Sequence, residues 1–171
     1  MSIETIYNFI YPIAPYAPLV VLVATFLDIF FITGLILYGA AMLSMVLILH
    51  SSGMIGTELL IVSAFTGTIL GNTCNYCVGY WFSETRFVQA QLQKPRMSLL
   101  REKLTKRGLL VFIFIGRFVT FTRPLYALFL GSIKIPFSKF ILKELGIALF
   151  WVVFWILLIL QGESLYSRFF G

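Results

Sequence analysis

A chain of 171 residues that is 60% hydrophobic and 12% charged, with a net charge of +6, has too few polar side chains to cover the surface of a water-soluble domain. Its mean hydropathy of +0.96 excludes a soluble enzyme or soluble nucleic-acid-binding module. It predicts an all-α, polytopic membrane protein whose outer helix faces stay apolar against lipid.

Taken in chain order, residues 1–27 have no basic leading region, and Pro12, Pro15 and Pro18 interrupt the approach to the first apolar run. They are read as mature chain rather than a cleaved leader. Four apolar blocks are expected, at 9–49, 54–82, 109–133 and 135–160. A spanning helix needs about 20 apolar residues. The first block is too long for one span and, broken by Asp28, Thr33, Gly34 and Gly39, divides near residue 28. The second and fourth blocks each suffice for one crossing. His50 and Glu58 flank a short connection, 50–57, expected to be exposed. Cys74 and Cys77 have C-x-x-C spacing, but with one histidine and no second cysteine pair they do not complete a zinc site. They read as packing residues, and neither a metal nor another cofactor is expected.

Seven of the 13 basic residues (Arg86, Lys94, Arg96, Arg101, Lys103, Lys106 and Arg107) fall in 83–108. This stretch reads as cytoplasmic, facing anionic headgroups rather than nucleic acid. Phe87, Val88, Leu92, Leu99, Leu100 and Leu104 interleave with these charges, a pattern suited to interfacial helices interrupted at Pro95. If the third block crossed the membrane, Lys134, Lys139 and Lys143 would lie on the opposite side from the basic stretch, against the positive-inside bias. A re-entrant hairpin keeps them together. Pro124 marks its break, and Gly116 and Gly131 bracket it. The first half repeats the plan: a charge, a glycine-interrupted segment, then a long span. The expectation is one domain built as an inverted repeat, with halves 1–82 and 109–171 joined by the linker 83–108 and two opposed re-entrant segments in a transporter-like arrangement.

Arg117 and Arg123 lie inside an apolar block, where an arginine costs about 2.5–3.5 kcal/mol on insertion scales. Six residues apart, they point about 240° from each other on a continuous helix. A break at Pro124 would let them converge on one anion, for which a guanidinium is suited. Asp28 is either their structural partner or a proton-coupling carboxylate. Glu144 is expected in a surface pair with Lys139 or Lys143, with a cavity-facing position as the alternative. A lipid-phosphate enzyme is disfavoured, because such chemistry uses histidines, acid clusters or an activated nucleophile, and the acids here are scattered.

The run 108–151, GLLVFIFIGRFVTFTRPLYALFLGSIKIPFSKFILKELGIALFW, resembles the signature region of the DedA family, also called VTT or SNARE-associated membrane proteins. Arg117, Phe118, Arg123, Gly131, Phe140, Gly146 and Trp151 fall where that pattern expects them. The segment 70–83 is similar to a second family element through Gly71, Asn72, Tyr76 and Gly79. Thr120 stands where the family has proline, and around Gly34 the family's P-G-D/E element is degenerate, without its second acid. The resemblance implies two opposed re-entrant segments and a role in lipid movement: polyprenyl phosphate recycling in bacteria, or phospholipid scrambling in eukaryotes. Expected partners are therefore anionic or phosphate-bearing membrane lipids, bound by Arg117 and Arg123 with Asp28 as a coupling carboxylate. Gly34, Gly71, Tyr76, Gly79, Pro124 and Gly131 would be motif residues that shape the backbone. In a bacterial source the location would be the plasma membrane. The competing reading is a membrane assembly or structural factor without transport activity.

Overall fold

The computed structural model describes residues 15–37, 40–119 and 122–170. Pro12, Gly39 and Thr120 lie outside the described residues, as does the side chain of Phe87. All regular structure among them is helical.

The first block forms α1 (Ala17–Ile29), α2 (Phe31–Leu37) and α3 (Ala40–Ser51). It divides at Phe30, whose extended backbone (φ −61°, ψ 131°) ends α1 two residues beyond Asp28. α4 (Thr57–Phe82) follows, 26 residues without a proline, begun by extended Gly56 and with Glu58 favourably placed in its first turn. The basic stretch folds as α5 (Arg86–Leu92) and α6 (Pro95–Lys103), and Pro95 starts α6 where its missing N–H costs nothing. Leu99 and Leu100 are exposed while Leu104 is buried. The linker does not end in a loop: a π-helical turn, Leu104–Gly108, carries it directly into α7 (Leu109–Phe118). After a break around Pro124 come α8 (Tyr126–Ser132) and α9 (Phe137–Phe170).

The solvent logic is inverted. Leu59, Val62 and Leu70 on α4 and Leu142, Leu149 and Leu157 on α9 are exposed, whereas Asp28, Asn72, Asn75, Arg117 and Glu144 are buried. In water that distribution would be unstable; in lipid it leaves the apolar groups outside and the polar groups paired inside. Among the described residues one helix, α9, is both long and apolar enough to cross a bilayer, over Phe137–Leu158. α4, at about 39 Å, also has the length. Its interior polar residues lower its hydropathy.

α4 is the axis of the packing. Ser63, Ala64, Gly67, Thr68, Gly71, Asn72, Asn75, Tyr76 and Gly79 recur at spacings of three and four and are all buried. Gly71 lets α1 approach, with Ile29 Cβ 3.1 Å from where a Cβ would stand. At the other end α4 and α8 meet backbone to backbone: a Cβ on Gly79 would overlap the Leu128 carbonyl, and one on Gly131 the Tyr76 carbonyl. α8 closes with Lys134 N–H bonded to Gly131 O and Ile135 N–H to Leu130 O, a Schellman pattern. Lys134 holds its left-handed position (φ 55°), which costs a side-chain-bearing residue about 1–2 kcal/mol.

Candidate functional site

Four helices bring one polar group each to a buried cluster. Arg117, on the last turn of α7, is 1% exposed; Glu144, about two turns into α9, is 0% exposed; and the two form an ion pair through Arg117 Nη2 and Glu144 Oε1. Tyr126, at the start of α8, donates its O–H to Glu144 Oε2 at 2.9 Å and accepts from Arg117 Nη2 at 3.0 Å. Asn72, on α4, donates to Glu144 Oε1 at 2.7 Å and to the Tyr126 oxygen at 2.8 Å. The carboxylate thus receives the charge-assisted bonds that burial demands, and Arg117 sits at the carbonyl end of its helix, where positive charge is favoured. Arg117 Nε and Nη1 and Asn72 Oδ1 have no hydrogen-bond partner among the described residues. Donor capacity therefore remains on a buried side chain.

A second pair lies where the two helix breaks meet. Arg123, in the break before α8, pairs through Nη2 with Asp28 Oδ2 near the end of α1. Between the breaks stands Asn75, fully buried. Its Nδ2 donates to Ile29 O at 2.8 Å and Pro124 O at 3.1 Å, and its Oδ1 accepts from Phe31 N–H at 2.9 Å. One side chain satisfies backbone groups that the interrupted helices leave without intrahelical partners. Gly34 completes the junction: a Cβ there would overlap the Asp28 carbonyl and lie 3.3 Å from Pro124 Cβ.

The structure alters two expectations. Arg117 and Arg123 do not converge on one acceptor, because each has its own carboxylate. Glu144 is not a surface partner of Lys139 or Lys143, because it lies on the same α9 face as buried Phe140, Ile147 and Ala148, with its carboxylate turned toward Arg117. Asn75 and Tyr126 carry no charge to mark them within the apolar blocks, although the spacing of three and four from Gly71 through Gly79 puts Asn75 on the same helix face. Tyr76 packs on Phe140 with ring centroids 4.9 Å apart and donates to Ile135 O at 2.5 Å. His50 is half-buried and 3.1 Å from the Thr57 hydroxyl rather than fully exposed.

At the linker end, Lys134 Nζ bonds Glu84 at 2.7 Å, which holds the ammonium above the ordinary lysine value, and Arg101 Nη2 donates to Lys134 O at 2.9 Å. The basic linker and the lysine after α8 therefore occupy one end of the molecule.

A sequence model of the VTT domain matches residues 14–161. The chain belongs to the VTT-domain, or DedA, family. Both carboxylate–arginine pairs fall within the matched domain. The chain is 26% identical to the inner membrane protein YabI of Escherichia coli over 151 residues, 88% of this chain and 59% of YabI. It is 28% identical over 134 residues to an uncharacterized membrane protein of Buchnera aphidicola from Schizaphis graminum, covering 78% of this chain and 53% of that one. An uncharacterized membrane protein of Synechocystis is 29% identical over 107 residues, 60% of this chain and 49% of its own. The chain spans roughly half the length of these curated relatives. No solved structure matches. Family membership and the inverted burial pattern agree that this is a membrane protein.

Proposed function

We propose that this VTT-domain protein moves a phosphate-bearing lipid across the bilayer, with Arg117 and Arg123 receiving the headgroup. The observation that carries the reading is a buried guanidinium, Arg117, beside broken helices, with two nitrogens that have no partner among the described residues. In the resting arrangement Glu144 and Asp28 act as counter-ions that keep both arginines neutralised. A phosphate competes for the same donors with more oxygens, and a guanidinium binds it through paired hydrogen bonds. Displacement of the Asp28 carboxylate gives that residue a proton-coupling role. In this reading the two helix–break–helix segments are re-entrant and opposed, in an inverted repeat, and the membrane is the bacterial inner membrane, as for YabI. The chemistry needs no catalytic residue and no cofactor.

The test is lipid translocation in proteoliposomes, with a phospholipid and a polyprenyl phosphate as parallel substrates. Wild type moves at least one of them, and Arg123→Ala and Arg117→Ala lower the rate by about tenfold or more, the loss of a charge-assisted contact. Full activity in Arg117→Lys and Arg123→Lys would argue against paired binding. A second reading rests on the same ion pairs: each arginine is already neutralised, as expected if the pairs only hold helices together in an assembly factor. Absence of any lipid movement by folded wild-type protein would establish that reading in place of transport.

A further inference from the structure

At the linker end a groove of about 600 Å³ opens beside α4, lined by Tyr76, Tyr80, Arg101, Lys134, Pro136 and Phe137 among others. Its chemistry differs from that of the buried cluster. One wall is aromatic, and Tyr80 and Phe137 are both substantially exposed. The other wall carries two cations. Arg101 spends one nitrogen on the Lys134 carbonyl, and the Lys134 ammonium lies 5.6 Å from the centre of the Tyr80 ring. Its carboxylate partner, Glu84, is 59% exposed at the side chain and so is readily displaced. The lysine stands at a left-handed turn position that glycine would fill without strain. The surrounding stretch holds seven of the 13 basic residues.

We infer that this groove docks the headgroup of an anionic membrane lipid, the phosphate between Arg101 and Lys134 and the first part of the chain along Tyr80 and Phe137. The cations and the aromatic wall together match an amphiphile rather than a free anion, since a polar ion would gain nothing from exposed rings. The site lies at the linker end, outside the Arg117 and Arg123 pairs, and it stands whether or not lipid is carried across.

Purified protein would be equilibrated with phosphatidic acid or phosphatidylcholine of identical chains, and retained lipid counted by native mass spectrometry. Wild type is expected to retain phosphatidic acid preferentially. Arg101→Gln with Lys134→Gly should reduce that retention by about tenfold. Lys134→Gly relieves the turn, so unchanged or higher thermal stability shows that the loss is not unfolding. Arg96→Gln, an exposed basic residue of the same linker outside the groove, should retain the lipid as wild type does. Undiminished retention in the double variant, an equal loss in Arg96→Gln, or equal retention of phosphatidylcholine by wild type would overturn the assignment. The measurement reads binding at rest, so its failure is separate from any failure of translocation.

Discussion

Glu144 is fully buried on α9 with Arg117 as its partner. It follows Lys143 and begins an apolar run, and neighbouring opposite charges suggest a solvated pair. Helical geometry instead rotates consecutive residues about 100° apart, so Glu144 shares its face with Phe140 and Ala148 and not with Lys143. The cue was present in the spacing of four to each of these apolar neighbours. Removing one member of a buried pair leaves an uncompensated charge. Glu144→Leu and Arg117→Leu should therefore each destabilise the protein by about 3–5 kcal/mol, while the double variant loses less than either. Thermal unfolding in detergent measures this, and additive losses would show that the pair does not act as a unit. Arg117 and Arg123 themselves were legible, because a charge in an apolar block is conspicuous. Their partners were not, because ion pairing between residues 27 and 95 positions apart leaves no local pattern.

At the scale of the helices, the break near residue 28 and the one near Pro124 were both anticipated from interrupted apolar runs. So was the interruption at Pro95, where α6 begins. The continuous passage from α6 through a π turn into α7 was not, because Gly108 reads as a terminator until packing of Leu104 and Leu109 in the same core holds the helix together. Close approach of α4 and α8 depends on two glycines that meet carbonyls. Gly79→Ala and Gly131→Ala should each cost about 1–3 kcal/mol by forcing those backbones apart. Gly146→Ala, on α9 with nothing within 4 Å of the added methyl, should leave the melting temperature unchanged or slightly raised. A loss in Gly146→Ala equal to that in Gly131→Ala would refute the packing argument.

Over the whole molecule, composition points to helices in a membrane, and the exposed leucines of α4 and α9 are its three-dimensional counterpart. The contact of Arg101 with Lys134 has a topological outcome that can be measured. In a background with Cys74 and Cys77 changed to serine, cysteines at Ser98 and Ser138 should react with an impermeant maleimide from the same side of a vesicle. Labelling from opposite sides would mean that the segment 109–133 crosses the bilayer. Because a single amide, that of Asn75, bonds residues 29, 31 and 124, both kinks lean on the same side chain. Asn75 is thus a common fastening for two helix breaks 95 residues apart in the chain, and a change at that one position reaches both.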